Sequence, residues 1–355
     1  MISIETKNER ARNYVKAAHF LRPDWIPCTV SILPAAWKKH RENLEQILLD
    51  HPKLFPGFQE GKTDFDAVWD RRYRRGRFTD NWGCTWGNIA EGLDSMMVGS
   101  PLDDWEKLGQ WHAPDPITEG DGWGAKPDWD QLKENCERAK RKGWLAWGGA
   151  PHGSMYMRLF YLRSFEGFMV DIATDDPRLK SLIEIVLRYN LKLIEKNIEC
   201  GVEMMSFGDD LGLQKALPMS PEKWRMYVGP CFERMFGVCG QHNVDVYLHT
   251  DGHILEIVPD LIRAGATILN PQIGANGLDG LERVAKGKVC ISLDLNRQLF
   301  PFLDPAGIRE HIVGAVERLS LPAGGLMLSA ECGPDVPLDN IRAICATLDD
   351  VGGPA

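Results

Sequence analysis

The feature that most constrains this chain is a rhythm. Short apolar stretches alternate with longer amphipathic ones about eight times over 355 residues. The strand candidates are 25–33, 78–86 (a strand and the bend after it), 144–149, 202–210, the strand from 244 that runs into His249, 266–270, 289–294 and 324–332. The segments between them carry helical spacing, as in 177–199, where Leu179, Leu182, Ile183, Val186, Leu193 and Ile194 share one face. Further helices are expected at 8–20, 35–50, 128–142, 154–165, 220–239, 254–264, 277–286, 305–319 and 338–348. Strands that are apolar on both faces belong in a parallel sheet covered by helices. At this length the rhythm predicts an α/β fold, a (β/α)8 TIM barrel, as one domain over 1–355. Residues 1–24 read as an N-terminal helical and irregular extension, and the Gly/Pro/Asp-rich stretches 51–75 and 99–127 as loop insertions. A doubly wound open sheet is the alternative, weakened because no strand leads into a GxGxxG or P-loop sequence.

Composition narrows the function classes. The formal charge is −9, against a nucleic-acid groove, which needs clustered cations. The one basic run, Arg71-Arg72-Tyr73-Arg74-Arg75, reads as a solvated turn. The nine cysteines are scattered without a CxxC pair, which predicts reduced thiols and a cytoplasmic protein. The first ten residues lack the apolar core of a signal peptide, and no apolar run reaches the ~18 residues of a membrane span.

In a barrel, chemistry sits where strands end. Here the strand ends carry Asp80, His152, Asp209 with Asp210, His249 with Asp251, Asn270 with Gln272, Asp294, and Glu331 with Cys332. His249-Thr-Asp251 is the sharpest of these. Side chains two apart on a strand point the same way, so the imidazole and carboxylate can share a metal or pass a proton. The adjacent carboxylates of Asp209 and Asp210 repel if both are buried, so at least one should meet a cation, a donor or water. His249, Asp251 and either Cys332 or Glu331 make a three-ligand set with an open fourth position, the pattern of a catalytic zinc. Trp82, Trp86 and Trp147 are candidates for the apolar walls of a pocket. A serine-type triad has little support, since there is no GxSxG.

These residues carry a resemblance. Gly149-Ala-Pro-His-Gly-Ser-Met-Tyr-Met157, Phe207-Gly-Asp-Asp-Leu-Gly-Leu-Gln214, Ser220-Pro-Glu-Lys-Trp224, His249-Thr-Asp-Gly252, Ala264-Gly-Ala-Thr-Ile-Leu-Asn-Pro-Gln272 and Asp335-Val-Pro-Leu-Asp-Asn-Ile341 together resemble the uroporphyrinogen decarboxylase superfamily over about 140–350. That superfamily is built on a (β/α)8 barrel. It contains true decarboxylases and zinc-dependent methyltransferases that work with corrinoid proteins. The decarboxylases carry an Arg-Gln-Ala-Gly-Arg motif near the N-terminus that grips substrate carboxylates. Residues 25–50 have no such motif; Lys38, Lys39 and Arg41 stand there instead.

The methyltransferase branch is the nearer resemblance. Its zinc motif is His-x-Cys followed by a distant Cys; His249 and Cys332 fit, and Asp251 replaces the first Cys. A carboxylate is a harder ligand than a thiolate, so the metal is the stronger Lewis acid. The resemblance implies a zinc-dependent methyltransferase acting between a small methylated substrate and cobalamin on a partner corrinoid protein. The chain has no Asp-x-His-x-x-Gly cobalamin signature of its own. In this reading Asp209 or Asp210 orients substrate or moves a proton. Asp80, His152, Asn270, Gln272 and Asp294 line the pocket. Homodimers are common in the family. The alternatives are a metal-free decarboxylase using Asp80 and a barrel that binds a ligand without turnover.

Overall fold

The computed structural model describes residues 2–67 and 71–352, so residues 68–70 of the expected 51–75 insertion lie outside the described residues. Among the described residues ten strands occur in chain order: β1 (Cys28–Ile32), β2 (Gly76–Thr79), β3 (Thr85–Asn88), β4 (Met96–Gly99), β5 (Trp147–Gly149), β6 (Met204–Gly208), β7 (Asp245–Thr250), β8 (Ile268–Pro271), β9 (Cys290–Asp294) and β10 (Leu326–Cys332). The chain packs as two compact units, Met1–Ala11 with Asp70–Ile268, and Arg12–Trp69 with Leu269–Ala355.

In the first unit β5, β6 and β7 are parallel neighbours, and the register sets Gly208 of β6 opposite His249 of β7. Four of the five β6 residues are buried, as a strand covered on both faces requires. In the second unit β1, β10 and β9 are parallel neighbours, with Ile32 beside Cys332 and Ser329 beside Asp294. A helix follows each parallel strand of the first unit, so the βα rhythm is real, and the fold class is the α/β barrel kind that the rhythm predicts. Every cysteine is unpaired, and all but Cys28 are buried. No helix among the described residues is long and apolar enough to cross a membrane.

Three elements differ from expectation, each for a local reason. The stretch 78–86 is not a parallel strand. It is the turn of an antiparallel three-stranded sheet, β2-β3-β4. Asp80 Oδ1 accepts the N–H groups of Trp82 (3.0 Å) and Cys84 (2.8 Å), which reverses the chain. Phe78 then stacks across the hairpin on Trp86, ring centroids 6.5 Å apart. The expected helix at 220–239 breaks at Val228 into Pro221–Tyr227 and Gly229–Gln241, because Pro230 has no N–H to continue the first and suits the first turn of the second. The helix Pro34–Asp50 kinks at Arg41 (φ 48°, ψ −129°), whose guanidinium lies over the Phe65 ring and pairs with Asp66 at 3.2 Å.

The helix Tyr156–Arg163 ties the first unit together. Its N-terminus sits on Asp209, whose carboxylate accepts N–H from Met155 (3.0 Å), Tyr156 (2.7 Å) and Met157 (2.8 Å). From its middle, Arg158 reaches Asp80 at 2.9 Å, with both side chains buried. Asp80 Oδ2 also accepts the indole N–H of Trp86 at 3.0 Å. From its end, Arg163 pairs with buried Asp171 at 2.7 Å and covers the Trp105 ring at 4.1 Å, which pins the 99–127 loop. Removing one partner of a buried ion pair strands the other, so Asp80→Ala is expected to cost about 3–5 kcal/mol in urea unfolding. Asp209→Ala leaves three helix N–H groups without their acceptor and is expected to cost about 1–3 kcal/mol in the same measurement.

Candidate metal centre at the ends of three strands

Three loops bring polar side chains together at the carboxyl ends of β5, β6 and β7. After β5 the chain runs Ala150-Pro151-His152-Gly153, and the Gly153 N–H donates to the Gly208 carbonyl at 2.7 Å. That bond lays the His152 ring on Gly208. A Cβ at Gly208 would stand 2.5 Å from His152 Cδ2, so only glycine lets the imidazole in. The loops after β6 and β7 nest on one another in the same way. Gly212 donates to the Asp251 carbonyl at 3.2 Å, and a Cβ on Gly252 would lie 2.2 Å from the Gly212 carbonyl oxygen.

His152 Nε2 lies 3.2 Å from Asp210 Oδ1, and His249 Nε2 lies 3.2 Å from Asp251 Oδ1. The two rings are 5.8 Å apart. Asp210 Oδ1 also accepts the Asp251 backbone N–H at 3.2 Å, which couples the two pairs. One potential ligand atom from each of His152, Asp210 and His249 lies within 4.8 Å of the other two. A tetrahedral metal with bonds of ~2.0–2.1 Å holds its donors about 3.3 Å apart, the spacing of both the His152–Asp210 and the His249–Asp251 pairs. The donor types, two imidazoles and carboxylates, suit zinc or another divalent first-row metal.

Electrostatics couples the same groups to one another. Burial raises the Asp210 carboxyl, but the His152 hydrogen bond and the charges of His152 and His249 outweigh it and hold it below the ordinary value. Burial lowers His152, yet the hydrogen bond and charge of Asp210 carry it above the ordinary imidazole value. Asp209 behaves differently. Burial pushes its carboxyl up to about 6, against the pull of its N–H donors. Adjacent in sequence, the two acids divide the work: Asp209 faces inward as the helix cap, and Asp210 faces the histidines.

The other expected site residues sit as follows. Asp80 has both oxygens engaged, by Arg158 and by N–H donors of residues 82, 84 and 86. Trp82 and Trp86 are buried around that pair, Trp82 against Tyr189 (4.6 Å) and Trp86 against Tyr161 (4.8 Å). Trp147 is 40% exposed on β5, edge-on to Tyr247. The remaining residues belong to the second unit. Asn270 donates its side-chain N–H to the Ser292 carbonyl, and Gln272 forms a backbone bridge to buried Asp294. Glu331 is ion-paired with Arg297. Cys332 is fully buried, and burial first, then Glu331 and Asp335, pushes its thiol up to about 12.

Sequence reasoning missed Arg158, the buried partner of Asp80. Its signal was available: an arginine inside Met155-Tyr-Met-Arg-Leu-Phe-Tyr-Leu162 has apolar residues on every side, and a lone charge there needs a buried counter-ion.

Comparison with known proteins agrees with this architecture. Among solved structures, a methyltransferase from Methanosarcina mazei matches with a TM-score of 0.64 at 16% identity, covering 96% of this chain and 98% of that one. A B12-independent methionine synthase from Shewanella sp. W3-18-1, in complex with selenomethionine, matches with a TM-score of 0.42 at 10% identity, covering 79% and 74%. A putative vitamin-B12-independent methionine synthase from Listeria monocytogenes gives 0.41 at 16% identity, covering 67% and 73%. At these identities the likeness is one of fold, and the two lower scores carry no argument. No curated protein sequence matches. The family model for uroporphyrinogen decarboxylase matches residues 148–351, more than half of the chain and all three loops of the candidate metal centre, and the chain belongs to that family.

Proposed function

We propose that this protein is a zinc-dependent methyltransferase, moving a methyl group between a small methylated substrate and a corrinoid carried by a partner protein. The observation that carries the reading is the cluster of imidazoles and carboxylates at the ends of β5, β6 and β7, in a chain of this family. The methyltransferase from Methanosarcina mazei, which shares the fold over nearly the whole of both chains, supports the same branch. A metal in this cluster would act as a Lewis acid on the heteroatom that bears or releases the methyl group. The exposed face of Trp147 would offer an apolar wall.

A metal-free decarboxylase needs a free carboxylate in the role given to Asp80 and a cationic grip for substrate acids. Asp80 is instead locked to Arg158 and the indole of Trp86, which argues for the methyltransferase.

The test is methyl transfer to or from reduced cobalamin, followed by the absorbance change on forming or losing methylcobalamin. A panel of O-, N- and S-methylated donors would be run with zinc-loaded and chelator-treated protein. Turnover with one donor, abolished by chelation and restored by zinc, is the expected result. Decarboxylation of a polycarboxylate by the chelator-treated protein, with no methyl transfer by the loaded one, would replace this reading with the alternative. The expected effect of His249→Ala is a fall of at least about 10²-fold in kcat/KM, the order of loss when a principal electrostatic stabiliser of the reaction is removed.

A further inference from the structure

We propose that the metal's protein ligands are His152, Asp210 and His249, one from the end of each of three adjacent strands, with Asp251 orienting His249 rather than binding the metal. This rests on the metal-dependent reading above and changes the ligand set that the His-x-Asp…Cys pattern suggests. It leaves Asp251, Cys332 and Glu331 out of the coordination sphere.

Three observations converge on it. The first is geometric: His152, Asp210 and His249 meet mutually within 4.8 Å, a condition met by no other group of three histidines, cysteines or acids among the described residues. The second is the pairing of His249 Nε2 with Asp251 Oδ1 at 3.2 Å. A metal-bound histidine commonly gives its other ring nitrogen to a carboxylate, which fixes the ring and raises its basicity. With His249 Nε2 on Asp251, Nδ1 is the ring nitrogen left for the metal and Asp251 would take that outer place; its backbone N–H also donates to Asp210. The third is that the set is complete within one compact unit, with His249 on β7 and His152 and Asp210 in the loops just beyond the parallel strands β5 and β6. Cys332, by contrast, is a buried thiol in the other unit, and Glu331 is held by Arg297.

The consequence is chemical. Two imidazoles and one carboxylate leave a position open and bring no thiolate charge to the metal. Such a centre is a strong Lewis acid toward oxygen and nitrogen donors. The substrate class is therefore one that presents an oxygen or a nitrogen, not a thiol or thioether, to the open position.

The test is zinc affinity, by competition with a chromophoric chelator, in wild type, His152→Ala, Asp210→Asn, Asp251→Asn and Cys332→Ala, with circular dichroism to confirm folding. Asp210→Asn is nearly isosteric and keeps the loop intact if His152→Ala does not. The expected result is one zinc per chain in wild type and in Cys332→Ala with equal affinity. Asp251→Asn should keep the metal at about 10–100-fold weaker affinity. His152→Ala and Asp210→Asn should lose it. Zinc lost from Cys332→Ala, or bound at wild-type affinity by Asp210→Asn, would overturn this ligand set while leaving a metal enzyme. A wild type that binds no zinc would overturn the metal reading itself. Methyl transfer is not needed for any of these outcomes, so its failure would be distinguishable.

Discussion

The carboxylate of Asp209, set on the N-terminus of the helix Tyr156–Arg163, is the contact on which the rest of the site depends. It closes the loop that leaves β5, because the backbone it grips at residues 155–157 begins just beyond His152. Its own N–H donates to the His249 carbonyl at 3.1 Å, so the same residue also ties the end of β6 to the end of β7. With Asp209 turned inward, Asp210 must turn the other way, and it meets His152. One buried cap thereby fixes the relative positions of three strand ends. The cost of burying its charge is offset in part by the aligned N–H donors and the positive end of the helix, burial remaining the larger effect on its carboxyl.

The helix so anchored carries its own anchors outward. Arg158 and Arg163 are charges in an apolar helix, and each is matched by one buried acid and an aromatic face. Through Arg158 the β2-β3-β4 sheet is held to the helix, and through Arg163 the long loop is held. These insertions are thus not loose decoration on the sheet. They are bound by buried ion pairs that, once broken on one side, are costly to leave broken.

Much of this was legible in the sequence. The alternation of apolar strands and amphipathic helices reports a covered parallel sheet, and the concentration of acids and histidines at strand ends reports where its chemistry lies. His249-x-Asp251 was readable because a strand has a period of two. What was not readable is contact between loops. His152 stands beyond β5 in a Gly-Pro-rich turn whose path depends on the absence of a side chain at Gly208, some fifty residues later, and no local pattern carries that information. The division of Asp209 from Asp210 was equally hidden, since it follows from which one faces a helix end. In the 78–86 stretch a strand and a bend were readable, but not that Asp80, by accepting two N–H groups, sets the bend inside the stretch and makes it an antiparallel hairpin.

The central claim is a metal held by nitrogen and oxygen donors at the ends of β5, β6 and β7. Its most direct test is X-ray absorption at the zinc edge of the zinc-loaded protein. The expected spectrum has light donors at ~2.0–2.1 Å, with the multiple scattering of two imidazoles and no sulfur. A scatterer at ~2.3 Å, the distance of a zinc–thiolate bond, would contradict it and return Cys332 to the coordination sphere.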